Sequence, residues 1–254
     1  MTGKLYVVST PIGNLSDITL RALETLKSVD MIACEDTRHT LQLLNHFEVK
    51  KPLTSYHQHS RDSKVDQIID SILEGKNVAI VTDAGTPGVS DPGETLIRAA
   101  IMTGVEVEPI PGVSAAITAL SISGLSTDEF VFIGFLPHKK GRQTKLKEIA
   151  LEKRTIILYE SPFRIQKLLS ELLEFVGDRE VSVSRELTKK FEQTYRGKIS
   201  EVAPQVKDKG EFVVILSADH HHEHTKPAQP EGHSGGDSGL DSSLRWNDEG
   251  VDNT

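Results

Sequence analysis

Acid–base pairs stand directly after apolar runs at two places in this sequence. CEDTRHT, residues 34–40, sets Glu35, Asp36 and Arg38 behind one run, and YESPFR, residues 159–164, sets Glu160 and Arg164 behind another. A carboxylate beside a guanidinium takes a proton or steadies a developing anion where it lines a cleft, and is a cap or salt bridge where it does not. Singly, each pair favours the structural role; two pairs at facing rims favour chemistry. A third loop, TDAGTPGVSDPG, residues 82–93, packs three glycines and two prolines into twelve positions, so its backbone approaches a ligand closely while the prolines restrain it. Asp83 sits at its start, where a carboxylate accepts from an ammonium group or ribose hydroxyls, or caps a helix. PGVSAA, residues 111–116, leads Ser114 and Ala115 into a helix start, whose N–H groups suit an anion and whose small side chains leave room for a flat base. At the N-terminus, VVSTPIGNLSDITLRALETL, residues 7–26, has the strand, turn and helix of a nucleotide-binding unit without G-x-G-x-x-G and without a lysine for phosphate.

Loops of this kind need strands to carry them. Apolar runs at 5–9, 31–34, 78–82 and 105–110 alternate with amphipathic segments; RDSKVDQIIDSILEGK puts Val65, Ile68, Ile69, Ile72 and Leu73 on one stripe and stops at Gly75. That alternation predicts a parallel α/β sheet whose ligand loops follow the strands. The pattern restarts with strands near 130–134, 155–159, 181–185, 193–199 and 212–216 and helices at 142–152 and 164–176. The last two strands, joined by a very short helix, are expected to run antiparallel, giving a mixed sheet. The fold class is therefore α/β with two α/β domains, 1–124 and 125–218, a cleft between them, and a tail at 219–254.

The chain has 254 residues and a formal charge of −8, but the tail alone holds eight acids against two bases. The body is thus close to neutral, and seven of its bases (Lys139, Lys140, Arg142, Lys145, Lys147, Lys153 and Arg154) fall within sixteen residues. The tail has few apolar residues and no periodicity, and is expected to be disordered. Its His220, His221, His222 and His224 read as an adventitious cluster, so no metal is expected. Cys34 is alone, which excludes an internal disulfide and suits the cytoplasm. The uncharged stretch 109–127 is broken by prolines and glycines, so no membrane span is expected.

YVVSTPIGNLSDITLRALETL, DMIACEDTRHT, VTDAGTPGVSDPG, PGVSAAITALSISGL, FIGFLP, YESPFR and SRELTKKFE occur in this order. Together they resemble the tetrapyrrole-methylase-like superfamily of S-adenosylmethionine-dependent methyltransferases and, within it, the ribosomal RNA small-subunit methyltransferase I group, over about residues 4–217. The resemblance implies 2′-O-methylation of a cytidine ribose in the decoding region of 16S rRNA, S-adenosylmethionine in the cleft, and a homodimer. S-adenosylmethionine has no phosphate, so neither missing motif is needed. By position, the resemblance makes Pro11, Gly13, Asp83, Gly85, Thr86, Ser114 and Ala115 the donor contacts of the first half, with Leu158 and Leu187 as counterparts in the second.

A ribose hydroxyl is a very weak acid, so a base or cation beside it helps the transfer. On this reading Glu35 and Glu160 are the candidate proton acceptors, and Arg38 or Arg185 holds the phosphate or the developing oxyanion. LPHKKGRQTKLKEIALEKR, residues 136–154, is the candidate RNA-facing arm through Lys139, Lys140, Arg142 and Lys145. Two rival readings remain open here: methylation of a porphyrinoid carbon, and an RNA-binding module with a vestigial pocket.

Overall fold

Five parallel strands build the first sheet in this computed structural model, which describes residues 2–56 and 62–218. They are β1 (Lys4–Val8), β2 (Met31–Cys34), β3 (Leu53–Ser55), β4 (Val78–Val81) and β5 (Glu106–Ile110), in the order β3-β2-β4-β1-β5. β4, at the centre, is VAIV with every residue buried, as a strand covered on both faces must be. Its Val78 and Ile80 meet Val65, Ile68, Ile69 and Ile72 of α3 (Asp62–Leu73), while Ala79 and Val81 meet Ala22 and Leu26 of α1 (Leu20–Ser28) and Leu44 of α2 (Thr37–His46). Leu73 lies off the expected stripe and stays 42% exposed. α1 and α2 start where side chains satisfy their first N–H groups: Thr19 accepts from Ala22 N at 3.1 Å, and Asp36 from Arg38 N at 2.8 Å. α4 (Glu94–Met102) and α5 (Ala115–Ser121) complete this half.

The second sheet is mixed, as expected, and its strands are β6 (Phe130–Phe135), β7 (Thr155–Glu160), β8 (Glu180–Arg185), β9 (Gln193–Lys198) and β10 (Phe212–Leu216). Their order, β6-β7-β10-β8-β9, corrects one expectation. β9 and β10 are both antiparallel to β8, on its opposite sides, so they run in the same direction and do not pair. Burial explains the placement. β10 is FVVIL, buried at all five positions, and takes the centre; β9 is QTYRGK, largely polar, and takes an edge, where charged side chains discourage further pairing.

One face of this sheet packs Ile156, Leu158, Val181, Val183, Val214 and Leu216 under α6 (Arg142–Leu151), α7 (Ile165–Val176) and the short α8 (Ile199–Val202). The other face turns Ile157, Val213 and Ile215 toward Ala116, Ala119 and Leu120 of α5, together with Ile12 and Leu187. A helix from the first half therefore covers the second sheet, and both sheets lie within one unit, Met1–His220. The change of half expected at residues 124 and 125 falls between α5 and β6, one helix later than the packing changes. The tail at 219–254, with its four clustered histidines, lies outside the described residues. Among the described residues no helix is long and apolar enough to cross a membrane.

Candidate active site

The loop after β4 is fastened to the loop after β1. Thr10 N donates to Gly85 O at 2.9 Å and Gly85 N to Thr10 O at 3.1 Å, while the Thr10 hydroxyl donates to Thr82 O at 3.0 Å. The Ser9 and Thr86 hydroxyls meet at 2.9 Å. Gly85 takes φ +87°, a left-handed conformation that a side chain would strain. Farther along, the loop touches the second sheet: β6 bulges between Phe132 and Gly134, and a Cβ on Gly134 would stand 2.6 Å from Ser90 Oγ. Between the two sheets this leaves a cavity of about 340 Å³, within the usual range for a small-molecule site. Ile12, Val89, Phe135, Leu187 and Val213 give it apolar walls, and Asp91 and Glu211 bring carboxylates to it. Tyr159 also lines it, and its hydroxyl accepts Ala116 N at 3.1 Å, tying the start of α5 to β7.

The cavity is electronegative. Burial, and after it the charges of Glu35, Asp83 and Glu211, together raise the Asp91 carboxyl to about 6. Burial, with the Asp91 charge adding to it, also pushes the Tyr159 hydroxyl up against the opposing Ala116 N–H bond. At one side Lys189 ion-pairs with Glu186 at 3.1 Å and Glu211 at 2.7 Å. Burial disfavours its charge, but these two carboxylates outweigh that and raise its pKa. Its stem crosses Gly13, where a Cβ would come within 2.4 Å of Lys189 Cγ, so the loop after β1 must be bare at that point. The turn carrying Leu187 holds Glu186 at φ +52° and Thr188 at φ +65°, unfavourable for residues with side chains.

Of the residues expected to contact a donor, Gly85, Thr86, Ser114, Ala115 and Leu187 are brought together around the main cavity. Pro11, Gly13 and Asp83 instead line a separate hollow of about 170 Å³ with Thr10, His39 and Gln42. Asp83 Oδ1 accepts Asp36 N at 3.2 Å, helping to position the start of α2 rather than capping the helix after its own loop. The Leu158 side chain belongs to the opposite face of β7, under the helices, because strand side chains alternate; Tyr159 faces the cavity in its place. Ser114 makes no side-chain cap to α5.

The charged candidates separate in the same way. Glu35 accepts the Thr82 hydroxyl at 3.3 Å and sits close enough to Asp91 to repel its charge. Glu160, expected as a proton acceptor, borders the main cavity, but its side chain is 0% exposed: Arg164 pairs with Oε1 at 2.7 Å, and Arg142 lies 3.7 Å from Oε2. Arg38 is 88% exposed and held by Asp36 at 2.8 Å. The Arg185 guanidinium donates to Lys209 O. Arg142, expected to face RNA, is buried, with its guanidinium 2.7 Å from Glu171 and donating to Pro137 O at 3.2 Å. Lys139, Lys140 and Lys147 are exposed, whereas Lys145 pairs with Glu148 at 2.8 Å. Sequence reasoning did not single out Asp91, Tyr159, Lys189 or Phe135. The second aspartate of the 82–93 loop and the alternation along β7 were the available signals for the first two; for Lys189, whose role depends on a crossing from the other half, there was none.

The profile of the family described as Tetrapyrrole (Corrin/Porphyrin) Methylases matches residues 4–203. Halalkalibacterium halodurans has a protein named ribosomal RNA small subunit methyltransferase I that is 49% identical over 218 residues, covering 84% of this chain and 75% of its own. The Synechocystis protein of that name is 49% identical over 220 residues, or 85% and 79%. The chain belongs to the tetrapyrrole methylase family, in its ribosomal RNA small subunit methyltransferase I branch. Among solved structures, this tetrapyrrole methylase is similar in fold to the uroporphyrin-III C-methyltransferase of Thermus thermophilus, solved in complex with S-adenosylhomocysteine. That structure matches at a TM-score of 0.62 over 85% of this chain and 97% of its own, with 21% identity, a likeness of fold. Among the described residues no group of three or more His, Cys, Asp or Glu side chains is placed to hold a metal.

Proposed function

We propose that this tetrapyrrole methylase transfers a methyl group from S-adenosylmethionine to the 2′-hydroxyl of a cytidine ribose in 16S rRNA. The coarser statement is plain: the chain is an S-adenosylmethionine-dependent methyltransferase acting on the RNA of the small ribosomal subunit. The observation that carries it is the 49% identity to proteins of that name across the whole two-sheet body. The cytidine and the ribose oxygen are the finer part, and they follow from the resemblance of the loop motifs.

The cavity fits the donor on its chemistry. Apolar walls suit an adenosine, and surrounding carboxylates favour a ligand whose sulfonium and ammonium outweigh its single carboxylate. Gly85, Thr86, Ser114, Ala115 and Leu187 are the residues that would hold it. S-adenosylmethionine supplies a methyl group made electrophilic by the positive sulfur. The protein's share is alignment: the Thr10–Gly85 bridge fixes one wall and the Tyr159–Ala116 bond fixes α5 against the other. Fixing two reactants in this way is worth up to ~7–11 kcal/mol. Lys139, Lys140 and Lys147, exposed and without an ion pair among the described residues, are the bases we assign to RNA phosphate. The working unit is a homodimer in the cytoplasm, with 1–124 and 125–218 as its two domains.

Incubation of the purified protein with tritiated donor and small subunits lacking the mark should label one ribose, located by alkaline hydrolysis, which 2′-O-methylation blocks. Label on a base, or none, would refute the finer reading.

A further inference from the structure

Of the carboxylates around the cavity, one among the described residues is both at the wall and unengaged. Glu160 is closed off between Arg142 and Arg164. Glu211 is 77% exposed and paired with Lys189 at 2.7 Å. Glu35 accepts the Thr82 hydroxyl and does not line the cavity. Asp83 accepts the Asp36 N–H and faces the smaller hollow. Asp91 lines the main cavity, is half-buried, and makes no ion pair among the described residues. Its position is set by a closed turn, in which Gly88 N donates to Pro92 O at 3.2 Å and Val89 N to Thr86 O at 3.3 Å.

We propose that Asp91 is the catalytic residue that takes the proton from the ribose 2′-hydroxyl, a reading that rests on the methyl transfer proposed above. The ribose oxygen forms its bond to the methyl carbon as the carbon–sulfur bond breaks and that electron pair stays on sulfur. The hydroxyl proton passes to a carboxylate oxygen of Asp91, which afterwards returns it to water. The charged and titratable groups facing Asp91 are Glu35 behind β2, Asp83 behind β4, Glu211 ahead of β10 and Tyr159 on β7. The three carboxylates, added to burial, bring its carboxyl to about 6, close enough to neutrality to take a proton and give it up again.

The test pairs Asp91→Asn with the unaltered protein. Calorimetry with S-adenosylhomocysteine should give affinities within about threefold of one another. Carbon-13 carboxyl NMR should show one aspartate titrating near pH 6 that the variant lacks. In single turnover on small subunits at saturating donor, the variant should be about 100-fold slower or more, and should lose the rise in rate through that pH. An equally fast variant, or one whose only defect is donor affinity, overturns the assignment while leaving the methyltransferase reading standing. No ribose label from the unaltered protein overturns both.

Discussion

Removing the Arg142 side chain leaves Glu171 and the fully buried Glu160 without the guanidinium that lies between them. Glu160 keeps Arg164 at 2.7 Å and Glu171 keeps Lys167 at 3.7 Å, so each loses one of two cationic partners, a cost of about 2–3 kcal/mol. Arg142→Ala should therefore lower the thermal midpoint by roughly 4–10 °C, whereas Lys140→Ala, on an exposed side chain, should move it by less than about 2 °C. Two melting curves decide between a buried linchpin and a surface base. Asp91 gives the opposite sign. Its folded-state carboxyl, at about 6, is raised above its unfolded value, so its contribution to stability is lost as the pH rises through the window between them. Asp91→Asn should be more stable at pH 7.5 by about 1 kcal/mol, discounted for partial exposure, or roughly 2–4 °C, with the gain shrinking toward zero as the pH falls to about 4. Midpoints measured across that range check it.

At the scale of elements, the Tyr159 hydroxyl is the clearest tie between the halves, because the Ala116 N–H it accepts belongs to the largely buried start of a helix with no side-chain cap. Tyr159→Phe keeps the ring and strands that N–H, so stability should fall by about 1–2 kcal/mol, with S-adenosylhomocysteine bound more weakly as α5 loosens. Differential scanning fluorimetry with and without S-adenosylhomocysteine separates the two effects. Elements with a strong apolar period were legible in the sequence: β4, β10 and the α3 stripe all form where Val, Ile and Leu dictate. β3 has three residues, too few to show a period, and forms because β2 offers an edge for Leu53, Thr54 and Ser55. The order of the second sheet was hidden for a related reason. Periodicity marks a strand, whereas burial on both faces, visible only once helices are docked, decides which strand lies at the centre.

Across the whole molecule, the loops after β1 and β4 were readable because their glycines and prolines are local, and five of the nine residues expected to touch the donor converge on one cavity. What was not readable depends on the meeting of distant segments: Lys189 over Gly13, Ser90 against Gly134, and the carboxylates repelling Asp91. The basic arm is likewise smaller than its charge suggested, since burial removes Arg142 and acids engage Lys145 and Arg154. Reversing Lys139, Lys140 and Lys147 to Glu should weaken small-subunit binding and flatten its dependence on salt by about 0.7 in log–log slope for each phosphate no longer neutralised, leaving the melting point unchanged. Filter binding over a salt series checks this.

The central place of β10 has a consequence for biosynthesis. Because the strand that completes the second sheet is made after β6, β7, β8 and β9, a nascent chain can finish its first sheet early but holds β7 and β8 apart, each with an open edge, until residues 212–216 emerge. The main cavity, which needs Phe212 and Val213 in its wall, is therefore among the last parts of the enzyme to come into being.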